Sequence, residues 1–110
     1  MDKKILNQER GKFRNISKKN FLDNSKTNIL ILGDSHSLDT FNMFYLNREI
    51  FSQYEFRRLN YFIHDDPEFL KINKIINFKL FKQSNILLIS DFSNNLEDMV
   101  HFDKLIKYLK

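Results

Sequence analysis

The chain of 110 residues contains no cysteine and only two glycines. Without cysteine, disulfides and thiolate metal sites are excluded, and nothing points to an oxidising compartment. Two glycines allow few tight backbone turns. Long apolar runs are missing too. The cleanest, Ile29–Leu32 and Ile86–Ile89, are four residues each, against the ~20 needed to span a bilayer. Met1-Asp2-Lys3-Lys4 is followed by no apolar stretch, so the start does not read as a signal peptide, and a cytoplasmic location is the default expectation. No repeat of 20 to 50 residues and no low-complexity block is visible.

What is present fits one small domain. Hydrophobic residues make up 42% and include twelve Phe, which points to a folded chain with an aromatic core. The net charge is +4, but it is unevenly spread. Residues 1–27 hold eight Lys and Arg against three Asp and Glu, whereas residues 28–110 hold ten against eleven. The excess therefore sits in a leader, read as basic and poorly ordered, ahead of a nearly neutral body from 28 to 110. That distribution argues against specific nucleic-acid recognition, although a basic tail can bind phosphates weakly.

From Asn28 the pattern sharpens. The run to Leu32 stops at Gly33, as a strand covered on both faces would. Ser37 offers an N-cap and Asp39 a negative charge in the first turn of a helix reaching about Phe51. Phe56 to Ile63 reads as a second strand. His64-Asp65-Asp66-Pro67 is a break, with His64 expected in an exposed loop. Phe69 to Phe81 carries helical spacing. Asn85 to Ile89 reads as a third buried strand. Asn94 and Glu97 resemble a capping box ahead of a last helix from Leu96. Alternating strands and helices predict an α/β, three-layer domain with a parallel sheet of about three strands. In such sheets ligands gather at the carboxyl ends of the strands. Two of those ends are polar: Gly33-Asp34-Ser35-His36 and Ser90-Asp91-Phe92-Ser93.

Ser35 is the first candidate for chemistry. A hydroxyl where a strand hands over to a helix sits among first-turn N–H groups, which with the helix dipole can stabilise an oxyanion. It needs a base to act as a nucleophile. Alternatively, such a serine serves only the helix end.

Ile29-Leu30-Ile31-Leu32-Gly33-Asp34-Ser35-His36-Ser37 resembles the first motif of the SGNH/GDSL hydrolases. It is closest to the Gly-Asp-Ser-His form of SGNH domains associated with polysaccharide O-acyltransferases. The likeness extends loosely over residues 26–110. It implies a flavodoxin-like sheet, with Ser35 as nucleophile and its N–H in an oxyanion hole. Asp34, with Gly33 and His36, would form the site turn. It also implies ester hydrolysis or acyl transfer without a cofactor, on an acylated carbohydrate or other small ester.

The later motifs depart from the family pattern. No glycine follows the second strand. Asp91 and Asn94 stand near the third motif's place but out of register. Asp98-Met99-Val100-His101 matches the letters of the last motif, Asp-x-x-His, but falls within the last expected helix. The chain therefore reads as an SGNH-type domain incomplete at its C-terminus, with weak or no activity. Two alternatives use the same residues. Asp34-Ser35-His36 is also the Asp-x-His of calcineurin-like phosphoesterases, with Asp91 as a further metal ligand. Otherwise the chain is a non-catalytic binding module, self-associating or meeting a partner through an uncovered sheet edge.

Overall fold

A computed structural model describes residues 11, 13–22, 25–62, 65–90 and 96–109, with the side chains of 96–102 left aside. It contains α1 (Arg14–Ser17), β1 (Thr27–Gly33), α2 (Ser35–Leu46), β2 (Tyr54–Asn60), α3 (Leu70–Ile75), α4 (Lys79–Gln83), β3 (Ile86–Ile89) and α5 (Leu96–Leu109). The three strands form one sheet in the order β2-β1-β3. Both pairings are parallel. Thr27 pairs with Tyr54 through to Gly33 with Asn60, and Ile29 pairs with Ile86 through to Leu32 with Ile89.

The apolar run of β1 is continuous because β1 is the central strand and both its faces are covered. Leu30 and Leu32 join Tyr61, Ile72, Ile75, Leu80 and Leu105 in one core, under α3, α4 and α5. Ile31 points the other way, onto Phe41 and Phe56, joined by Ile16 of α1 and by Phe13 just before it. The two cores make the molecule a three-layer α/β sandwich. Aromatic packing dominates the second core: Phe44 stacks on Phe56 with ring centres 4.6 Å apart, and Phe51 meets Phe44 edge-on at 5.2 Å.

Four boundaries differ from the periodicity. The second strand, expected over Phe56 to Ile63, runs from Tyr54 to Asn60, and Tyr61 enters the core beyond its end. The other three concern helices. First, α2 begins at Ser35, and its N-cap is Asp34 rather than Ser37: the Asp34 carboxylate accepts from the His36 N–H at 2.9 Å. Ser37 is instead fully buried. Second, α2 stops at Leu46, and Phe51 reaches the core from the turns that follow. Third, the helix expected over 69–81 is two helices. Phe78 is extended between them, at φ −72° and ψ 145°. The first ends as Asn77 and Phe78 bond back three residues, to the Lys74 and Ile75 carbonyls. The Asn77 side chain donates to the Asn73 carbonyl at 3.0 Å, displacing the regular backbone bond.

Residues 13–22, inside the stretch that composition reads as a leader, pack against the sheet. Phe21 is buried in the first core. Arg57 on β2 donates through Nε to the Lys19 carbonyl at 2.9 Å and through Nη2 to the Asn20 carbonyl at 3.3 Å. Glu55 Oε1 accepts from the Leu22 N–H at 2.7 Å and from Arg57 Nη2 at 2.9 Å. Burial lowers the Arg57 pKa from its ordinary value, and the Glu55 charge works against that shift. Among the described residues no helix is long and apolar enough to cross a membrane.

Candidate functional site

The carboxyl ends of the three strands are drawn together by backbone contact. The Ser90 N–H donates to the Leu32 carbonyl, and the Tyr61 N–H to the Gly33 carbonyl, each at 2.8 Å. The Ser90 carbonyl crosses directly over Gly33, and a Cβ on Gly33 would lie 1.7 Å from its oxygen. The glycine of the Gly-Asp-Ser-His turn is thus required by the close passage of β3's end. Ser90 Oγ and Thr40 Oγ1 share a hydrogen bond of 2.6 Å, which ties α2 to the same place.

Ser35 is the first residue of α2 and its side chain is exposed. It opens on a cavity of about 480 Å³, within the ordinary range for small-molecule sites. Leu38, Asn60 and Phe62 share the wall with three cations, Arg14, Lys18 and Arg58. The cavity draws on α1, α2 and the end of β2, which are far apart in the chain.

Arg58 holds this corner rigid. It is buried, at 8% exposure. Its Nε donates to Ser37 Oγ at 2.7 Å, and its Nη2 donates to the Asp34 carbonyl at 3.1 Å and to Asn60 Oδ1 at 2.9 Å. Because a guanidinium only donates, the Asn60 atom facing it is the oxygen, and the NH2 is the other end of that amide. Ser37 Oγ donates onward to the Asp34 carbonyl at 2.5 Å. The turn that presents Ser35 is therefore tied to β2 through side chains as well as through the sheet.

The structure brings together Gly33, Asp34, Ser35 and His36, and gives each a distinct position. Gly33 is under Ser90, Asp34 caps the helix, and Ser35 and His36 are exposed in its first turn. Asp98 and His101 lie in α5, whose Leu105 enters the core on the sheet face opposite α2. Their side chains, like His64, Asp91 and Asn94, lie outside the described residues. Among the described residues, no three His, Cys, Asp or Glu side chains cluster as a metal site would need.

Arg14, Lys18, Arg58 and Asn60 went unnoticed in the sequence. One signal was available: Arg57-Arg58 places two adjacent charges inside a strand pattern, where at least one must point into the fold. Nothing local marks Arg14 and Lys18. No family model matches the sequence, and neither a curated protein nor a solved structure matches it.

Proposed function

We propose that the chain is an SGNH-like ester hydrolase or O-acyl transferase domain with Ser35 as its nucleophile. The observation that carries the reading is an exposed serine hydroxyl at the first position of a helix, at the carboxyl end of the central parallel strand and on the wall of a cavity. In the reaction, Ser35 Oγ attacks the ester carbonyl and its proton passes to a base. The tetrahedral intermediate expels the alcohol, which takes that proton. Water or an acceptor hydroxyl then releases the acyl group by the reverse sequence.

The Ser35 N–H and the Asn60 NH2 are the donors for the oxyanion. Asp98-Met99-Val100-His101 matches the letters of the family's last motif but lies within a helix. His101, oriented by Asp98, is therefore a candidate base out of its usual place, and weak or no turnover is expected. His36, next to Ser35 and exposed, is the competing base. Turnover of p-nitrophenyl acetate by the wild type, Ser35→Ala, His36→Ala and His101→Ala tests these roles. Loss of turnover in Ser35→Ala is expected, and the histidine whose removal flattens the pH profile is the base. Equal rates for wild type and Ser35→Ala would remove Ser35 as nucleophile.

The cationic wall of the cavity also supports a second reading, a binding module in which Ser35 only contacts the ligand. This reading yields no turnover from any variant.

A further inference from the structure

We propose that the cavity beside Ser35 is an anion subsite, so that the ester it serves carries a carboxylate or phosphate group held by Arg14, Lys18 and Arg58. The substrate assignment rests on the reading of Ser35 as nucleophile; the anion site itself does not. Among the described residues lining the cavity, three are cations and none is an acid.

Arg14 opens α1 and Lys18, four residues on, is its C-cap with helical backbone angles, which places their side chains on one face. Like charges at that spacing repel by a few tenths of a kcal/mol in an exposed helix. A bound oxyanion between them turns this repulsion into attraction. Arg58 reaches the same wall from β2, buried and pinned by Ser37, Asp34 and Asn60. A guanidinium held in this way is a fixed positive charge on the wall, and little side-chain freedom is left to lose on binding. The clamp of Arg57 and Glu55 on residues 19–22 keeps α1 beside the cavity. Leu38 and Phe62 supply an apolar wall for the uncharged part of the ligand.

The test has a kinetic arm and a binding arm. The kinetic arm compares kcat/KM for 4-acetoxybenzoate, 4-acetoxyphenyl phosphate and the neutral methyl 4-acetoxybenzoate. Dividing each variant's anionic-to-neutral ratio by that of the wild type cancels the intrinsic reactivity of the esters. In Arg14→Gln/Lys18→Gln the ratio is expected to fall about tenfold, the effect of one charge-assisted hydrogen bond. Arg14→Lys/Lys18→Arg is expected to keep it. Lys74→Gln/Lys82→Gln, which removes as much charge from α3 and α4, is also expected to keep it. The larger fall of the two anionic esters identifies the group as carboxylate or phosphate.

The binding arm titrates inorganic phosphate and acetate into Ser35→Ala and follows backbone amide shifts. Shifts confined to the cavity residues, and abolished when Arg14→Gln/Lys18→Gln is added, support the subsite. Both arms should weaken as potassium chloride is raised, because the cavity is open to screening.

An unchanged ratio together with unchanged shifts in the glutamine variant would overturn the subsite while leaving Ser35 as nucleophile. Absence of turnover from every variant, with phosphate shifts that need Arg14 and Lys18, removes the nucleophile and retains the anion site. Absence of turnover together with absence of shifts removes both.

Discussion

Arg58 donates from Nε to the Ser37 hydroxyl at 2.7 Å, across the gap between β2 and the first turn of α2. One buried guanidinium thereby supports the turn that exposes Ser35. Arg58→Met should cost about 2 to 3 kcal/mol, since the acceptors it served lose their donor and are partly buried. Arg58→Lys should recover little, because an ammonium cannot reproduce the guanidinium's fork of donors to Ser37 and Asn60. Urea unfolding of the three proteins measures both.

Gly33→Ala tests the crossing of β1 and β3. The new Cβ would lie 1.7 Å from the Ser90 carbonyl oxygen, a backbone atom that moves only if the strand end moves. A loss of about 3 kcal/mol is expected, at the upper end for overpacking. The Ser90 N–H, bonded to the Leu32 carbonyl, should exchange faster with solvent. A variant as stable as the wild type would contradict the close passage.

Asp34 contributes to stability as a cap. Asp34→Ala removes the acceptor of the His36 N–H and should cost about 1 kcal/mol, with Asp34→Asn and Asp34→Ser regaining most of it. Thermal unfolding at constant pH ranks the four proteins.

Tyr61 makes stability fall in alkali. Its phenol is buried and donates to Asp66 Oδ2 at 3.0 Å. Burial first, then the Asp66 hydrogen bond and charge, raise its pKa above the ordinary value. The folded state therefore holds this proton after the unfolded chain has released it. Its contribution is complete below about pH 10 and declines as pH rises beyond that toward the folded pKa. Unfolding followed from pH 8 to 11 should show this decline in the wild type and a flatter curve in Tyr61→Phe. The exchange has a second cost: Asp66 also accepts from the N–H groups of Leu70, Lys71 and Ile72, so its carboxylate needs the phenol less than the phenol needs it.

The clamp on residues 19–22 predicts coupling between β2 and the cavity wall. Glu55→Ala leaves Arg57 buried without its carboxylate and frees the Leu22 N–H. Breaking such a pair costs about 3 to 5 kcal/mol when both charges are buried. Hydrogen exchange at Leu22 should rise more than at the amides of β1. Exchange that rises equally everywhere would mean that the clamp is merely part of the global fold.

The element order was legible because each strand is short, apolar and bounded by polar turns. Ile29–Leu32 and Ile86–Ile89 both read as buried strands, and they pair side by side. Of the two, only the central β1 is buried: β3 lies at the sheet edge, with Ile86 exposed and Leu87 to Ile89 half-buried. The start of α2 was placed three residues late because Ser37 and Asp34 are both capping residue types; which one caps depends on Arg58 claiming the Ser37 hydroxyl. The break at Phe78 was hidden because Ile72, Ile76 and Leu80 keep helical spacing across it.

Taken alone, the order of residues determined the alternation of strand and helix, the parallel sheet and the strand-to-helix turn at Gly33-Asp34-Ser35-His36. Those features follow from backbone propensity and apolar periodicity, which act over a few residues. Tertiary structure alone decided that Arg14, Lys18 and Arg58 share one wall with Ser35, and that Phe21 joins the core. A cavity is enclosed by segments distant in the chain, and no local pattern encodes which charges will face one another across it.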